Sequence, residues 1–346
     1  MEQSRRFNLG ATGDILLHLR LIKHAKLKSG GYDFSEQMAN VKDLFEQSDL
    51  SIVNQESLIA GEKIGLSDYP KFNGPTEIRE TLRDFGVDIV TIANNHTLDK
   101  GEAGVFESIQ KWEEIDMPYV GAYKSKDDFD TLRVIHKNGL RVGFISITKR
   151  MAGVKVPKNK PWIIDYFEDA KITKICKRIR KIRELDVVDV LVVSCHFGKE
   201  YHFEPTSDQK EITKSLADAG ADVILGHHPH VLQPIETLFD SRGLDTFVAY
   251  SLGNFFSGQK GLFRQVGGFL NVEIEKETSN SLVKFPSAKF TLTFVDALDG
   301  YKMYKFRDYV ENHDIIKTHK GHFNSHEAYN RMKKLMQKNM PQIEVL

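Results

Sequence analysis

Apolar, β-branched runs alternate with amphipathic stretches along the first two thirds of the chain. Phe7–Thr12, Leu50–Glu56 ("LSIVNQE"), Val87–His96 ("VDIVTIANNH"), Val187–His196 and Ala221–His230 ("ADVILGHHPH") read as strands. Glu36–Gln47, Gly74–Gly86, Gly101–Ile115, Asp165–Glu184 and Ser207–Gly220 place apolar residues at helical spacing between them. Pro75 falls in a first turn, Ser207 is a candidate N-cap, and Gly86 and Gly220 are candidate stops. Asn138-Gly139 joins two β runs as a hairpin. Strands separated by helices predict a largely parallel α/β sheet covered on both faces. From Asp245 onward, "GGFLNVEIE", "AKFTLTFVDAL" and "YKMYKFRDYV" read as strands with short connections, hence a second, more antiparallel sheet. A helix over Ser325–Lys338 closes the chain, and the loops at 60–72 and 150–161 are the candidate lids.

Composition narrows the class. The 346 residues are 40% hydrophobic and 28% charged, as in a globular protein, and suffice for one large domain or two ordinary ones. Lys plus Arg and Asp plus Glu number 48 each, so net charge offers no argument for a nucleic-acid partner. The basic stretch "KICKRIRKIR" carries Ile175, Ile179 and Ile182 on one helical face and reads as a solvated helix surface. Cys176 and Cys195 form no metal or disulfide spacing. No apolar run at the amino terminus is long enough for a signal peptide or a membrane span. The expectation is a soluble, cytoplasmic chain, or an extracytoplasmic, membrane-associated one if an anchor precedes it.

Chemistry gathers where the strands end. Asp14 follows the first, Asn54 and Glu56 the second, Asn94, Asn95 and His96 the third, His196 the next, and His227, His228 and His230 the last. The carboxyl ends of parallel strands share one edge, where ligands bind. Each residue alone has an ordinary alternative: Asp14 a turn, "NNH" an Asx turn, His196 a core histidine. Together, imidazoles and carboxylates without a thiolate form the ligand set of a divalent ion such as Mn, Fe or Zn. Pro229 is expected to hold "HHPH" extended, with His228 and His230 on one side. Ligating imidazoles must be neutral, so affinity should weaken below roughly pH 6.

These residues resemble a known family. "GD" at Gly13–Asp14, "NQE" at Asn54–Glu56, "ANNHTLDKGEAG" from Ala93, "HFGKEYHFEPTSDQ" from His196, "DAGADVILGHHPHVLQPIE" from Asp218 and "YSLGNF" from Tyr250 are similar to CapA-type bacterial poly-γ-glutamate capsule synthesis proteins. That family is similar to the calcineurin-like metallophosphatases. The resemblance implies an α/β fold, a β-sandwich of mixed sheets flanked by helices. The family match spans 1–275, and 276–346 would complete the same domain.

The resemblance also implies roles. Asp14, Glu56, Asn95, His196, His228 and His230 would hold one or two divalent ions, with Glu56 bridging. His96 would donate a proton or stabilise the transition state. His227, Asn54, Asn94, Glu200, Asn254 and Lys71 are expected nearest a bound substrate, with Lys149, Arg150 and Lys199 as further cationic contacts. The superfamily's Asp-x-His reads Asp14-Ile15-Leu16 here, so the first ion lacks an imidazole, which His227 could replace. The expected function is metal-dependent hydrolysis or transfer in poly-γ-glutamate capsule biosynthesis, at a γ-glutamyl amide or a phosphoester. A non-catalytic accessory protein that binds the polymer alongside capsule synthesis machinery, and a general metallophosphodiesterase, are the alternatives.

Overall fold

Two mixed sheets stack face to face in the computed structural model, which describes residues 4–168, 172–277 and 282–346. Strands are numbered β1 (Ser4–Leu16), β2 (Leu50–Gln55), β3 (Ile89–Thr91), β4 (Tyr119–Val120), β5 (Arg133–Lys137), β6 (Leu140–Thr148), β7 (Val190–His196), β8 (Val223–His227), β9 (Leu232–Phe239), β10 (Asp245–Leu252), β11 (Asn254–Ser257), β12 (Val266–Glu277), β13 (Val283–Lys284), β14 (Ala288–Asp296) and β15 (Lys302–Lys305). The first sheet runs β15-β14-β12-β1-β2-β3-β4, with β11 also pairing β1, and the second runs β5-β6-β7-β8-β10-β9. This is the sandwich of mixed sheets flanked by helices that the resemblance implies.

Alternation along the strands explains the layers. Phe7, Leu9 and Ala11 of β1 point into the same core as Val142, Val190, Val192, Leu225 and Phe247 of the other sheet. The opposite face of the first sheet packs on Leu21, Phe34, Leu82, Ile109 and Trp112 of the helical segments, and that of the second on Ile175, Ile179, Ile212 and Leu216. The Asn-Gly turn forms as expected, with φ of +49° at Asn138 and +77° at Gly139.

Several elements differ from the expectation. The antiparallel strands β12, β14 and β15 extend the first sheet rather than forming their own, while β10 joins the second sheet parallel to β8. Sheets are assembled by long-range pairing, which local periodicity does not encode. Val87–His96 contributes only three strand residues, because Asn94 and Thr97 fold the segment into a turn. Helix Ile78–Asp84 starts after Pro75. Asp165–Phe167 lies outside the helix Ile172–Glu184, and the expected helical residues 169–171 fall outside the described residues. Glu36–Gln47 is broken by a 3-10 turn at Ala39–Val41. The N-cap of Ser207–Ala219 is Thr206, which forms a capping box with Gln209. "YKMYKFRDYV" is half strand and half helix, with Phe306, Tyr309 and Val310 buried at helical spacing. The basic helix is only partly a solvated surface, since Arg178 and Arg183 pair with Asp165 and Asp222.

Candidate metal centre

β1 is the hinge of the site. Its pairing with β2 shifts between Ala11 and Asp14, and beyond the irregularity Asp14 stands opposite both Asn54 of β2 and Asn254 of β11. A Cβ on Gly13 would lie 2.1 Å from the carbonyl oxygen of Gly253, so only glycine lets the chain pass here. On the other sheet, His196 and His227 end β7 and β8 in register. The two strand-end sets, one from each sheet, therefore meet over the sandwich edge.

Each expected residue can be placed. Asp14 is fully buried; its Oδ1 accepts from Asn54 Nδ2 at 2.8 Å and lies 3.0 Å from His227 Nδ1, and Oδ2 lies 3.3 Å from His230 Nδ1. Glu56 Oε1 is 3.6 Å from Nε2 of both His196 and His230. Asn95 Oδ1 sits 2.8 Å from His196 Nε2. His228 packs its ring 4.9 Å from that of His196 and 6.0 Å from that of His230. His96 is buried beside these groups, its Nδ1 on Asp99 Oδ2 at 2.8 Å.

The backbone at "GHHPH" corrects the extended expectation. β8 ends at His227, and His228 and His230 adopt φ of +97° and +57°, conformations that L side chains rarely take. Pro229 separates two left-handed residues rather than holding an extended run. Such strain persists where surrounding structure over-determines it, and it concentrates at functional sites.

Three asparagines expected near substrate are bound up within the protein. Asn54 donates to Asp14 and accepts from Thr91 Oγ1 at 3.2 Å. Asn94 accepts from His96 N–H at 2.9 Å, an Asx turn, and donates to the Gln55 carbonyl at 3.1 Å. Asn254 accepts from His230 Nδ1 at 2.9 Å and donates to the Arg264 carbonyl at 2.9 Å. His227 faces Asp14 rather than open solvent. Glu200, Lys71, Lys199 and Arg150 are exposed, and Lys149 pairs with Asp208.

Two residues escaped the sequence reading. Asp99 orients His96 and also accepts the Phe72 N–H at 2.6 Å, tying the 60–72 loop to the site. The signal was its position three residues after His96 in "NNHTLD". His18 is buried with its ring 5.0 Å from that of Phe72, which also lies 4.7 Å from the ring of His96. No local pattern pointed to His18.

Burial and mutual charge shift the titration of the groups in the cluster. Burial pushes Glu56 well above the ordinary carboxylate range, reinforced by Asp14, Glu200 and Asp99 and opposed by His230. Burial also opposes ionisation of Asp14, but hydrogen bonds and charge from His227 and His230 hold it well below that range. Burial, then the neighbouring His230, lowers His228 to about 3, and burial with His228 lowers His196 well below the usual imidazole value. His230 rises to about 9, since Glu56 and Asp14 outweigh its burial.

Both carboxylate oxygens of Glu56, Nδ1 of His196 and Nδ1 of His228 are buried without a hydrogen-bond partner. One ligand atom each from Glu56, His228 and His230 lies within 4.8 Å of the others. Orphaned buried acceptors are costly, and a divalent ion with N/O preference would satisfy them. The residues therefore fit such an ion.

A two-sheet α/β sandwich with an imidazole–carboxylate cluster on its edge is the class that fold and site define. A model of the family described as bacterial capsule synthesis protein PGA_cap matches residues 8–259, and the chain belongs to that family. It is 29% identical over 264 residues to "Capsule biosynthesis protein CapA" of Bacillus anthracis, covering 74% of this chain and 61% of that protein. It is 29% identical over 253 residues to "PGA biosynthesis protein CapA" of Bacillus subtilis (strain 168), covering 71% and 62%. The chain thus spans about three fifths of the length of these curated relatives. A solved structure titled a novel phosphatase, from Mycoplasma pneumoniae, is 15% identical and covers 84% of this chain and 94% of that one, with a TM-score of 0.46. Among the described residues, no helix is long and apolar enough to cross a membrane.

Proposed function

We propose that this protein is a metal-dependent hydrolase or transferase of capsule metabolism, acting on poly-γ-glutamate at a γ-glutamyl amide. The observation that carries the reading is the buried, unpartnered Glu56 carboxylate facing His196, His228 and His230. Glu56, His228 and His230 would hold a Mn, Fe or Zn ion, with His196 and Asn95 toward a second and Asp14 toward the first. When bound, such an ion supplies Lewis-acid polarisation and lowers the pKa of water to near neutrality.

The chain's own residues prepare the rest. Burial keeps His196 and His228 neutral and able to ligate. Asn254 orients the His230 ring through Nδ1, while His227 and Asn54 orient the Asp14 carboxylate. Asp99 fixes the His96 ring through Nδ1, leaving Nε2 to donate a proton to the leaving nitrogen or steady an oxyanion. The Phe72 ring against His96 restricts water on that side.

Leu16, where the superfamily has an imidazole, is buried and cannot ligate. It favours, as second reading, a protein that binds the polymer without cleaving it. Metal analysis of the purified protein and of His228→Ala, with turnover of γ-glutamyl oligomers against bis-p-nitrophenyl phosphate, separates the readings. Stoichiometric metal lost in His228→Ala, with oligomer cleavage lost in His96→Ala, is expected. Metal-free protein at neutral pH would sink the hydrolase, and phosphoester turnover without oligomer turnover would move the reaction to a phosphodiesterase.

A further inference from the structure

A ledge of aromatic rings and arginines leads away from the metal cluster. The ring of Tyr201 lies 6.2 Å from that of His230, tilted by 32°. Tyr201 holds φ of +64°, a conformation costly for a bulky residue, and its N–H donates to the Pro229 carbonyl at 2.7 Å. Its ring carries the guanidinium of Arg264, with Cζ 3.8 Å from the centroid. The Arg264 carbonyl is held by the same Asn254 that orients His230.

The ledge continues beyond Arg264. Its chain neighbour Phe263 meets the edge of Phe203 at 5.4 Å, and the Arg331 guanidinium lies 4.5 Å from the ring of Phe263 and 5.1 Å from that of Phe203. Tyr201 and Arg331 are exposed, and Phe203, Phe263 and Arg264 are half-buried. Among the described residues neither guanidinium forms an ion pair, whereas Arg79, Arg133, Arg141, Arg178 and Arg183 all do. Of the nearby acids, Glu204 is paired with Lys338 at 2.6 Å, and Glu200 adjoins Tyr201.

A guanidinium stacked on an aromatic face keeps its in-plane N–H edge free for bidentate contact with a carboxylate. Two of them, one beside the cluster and one further out, suit repeated carboxylates better than a single small anion. We propose that Arg264 and Arg331, on the Tyr201–Phe263–Phe203 ledge, bind successive carboxylates of a linear polycarboxylate and guide it to the metal cluster. The assignment rests on the reading that the cluster acts on such a chain.

Fluorescence anisotropy with labelled γ-linked glutamate oligomers, short and long, tests it on the full chain. Arg264→Met and Arg331→Met should each weaken binding of the long oligomer roughly five- to tenfold, and together by about the product, with a reduced dependence on salt. Arg307→Met, an exposed arginine paired with Glu311 at 3.2 Å, should leave binding unchanged. Circular dichroism confirms that each variant is folded. Failure of wild type to bind the oligomer, equal binding by the double variant, or tighter binding of polyphosphate of matched charge would overturn the proposal. Oligomer binding without turnover in metal-loaded wild type removes the hydrolase and leaves the ledge standing. Turnover of small phosphoesters without oligomer binding removes the ledge and moves the reaction to a phosphodiesterase.

Discussion

Asp99 holds His96 through a 2.8 Å contact between Oδ2 and Nδ1, and the same oxygen accepts the N–H of Phe72 at 2.6 Å. One buried carboxylate thus fixes the expected proton donor and the loop that packs against it. Asp99→Asn keeps an acceptor for Phe72 but removes the carboxylate that holds His96 Nδ1. The rate should fall roughly tenfold to a hundredfold, the range for partners that orient a working imidazole. Metal content should stay at the wild-type level, and an unchanged rate would remove the dyad from the mechanism.

His228 is held at φ +97°, where glycine is at ease and histidine is not. His228→Gly should therefore abolish metal retention while leaving the metal-free protein as stable as wild type, or more so by about 1 kcal/mol. Thermal melts in chelator, paired with metal analysis, measure both effects. A clear loss of stability in chelator would show that the ring supports the fold.

Gly226 lies where β8 meets β10, and an added Cβ would stand 2.0 Å from the carbonyl oxygen of Tyr250. Backbone cannot yield as a flexible side chain can. Gly226→Ala should cost roughly 2–3 kcal/mol in denaturant unfolding and displace the histidines that follow. A cost below about 0.5 kcal/mol, within the range of ordinary surface changes, would mean that the strands separate easily.

Acid sensitivity should come partly from Asp189. Burial opposes its ionisation, but hydrogen bonds and charge from Arg141, with Lys276, hold it below the ordinary carboxylate range. A depressed folded value contributes stability that is complete above the unfolded value, near pH 4, and is lost as pH falls through the folded one. Asp189→Asn should thus be less stable than wild type at neutral pH, with the gap closing below about pH 4. Denaturant midpoints across pH check this, and a constant gap would assign the loss to neutral hydrogen bonding.

The elements most legible in the sequence were those whose local pattern and burial agree. β7, with seven buried residues, and Ser207–Ala219, ended by Gly220 at φ +116°, follow directly from their runs. The strand-end chemistry was legible for the same reason: strands stop where polar residues begin, and parallel strands stop on one edge. Asn54, Asn94 and Asn254 were legible as polar groups near the strand ends but not as to their contacts. An amide reads the same whether it meets a substrate or orients Asp14, His96 or His230.

Sequence by itself determined that Asp14, Glu56, Asn95, His96, His196, His228 and His230 follow apolar runs, and their spacing carries the family resemblance. Only the tertiary structure decided that β12, β14 and β15 extend the sheet of β1, that "GHHPH" turns left-handed at two histidines, that Asp99 holds His96, and that Tyr201, Arg264 and Arg331 line one ledge leading from His230. The physical reason is range. Side-chain periodicity is set by neighbours a few residues away, whereas strand partners, strained dihedrals and ring contacts are fixed by residues hundreds of positions apart.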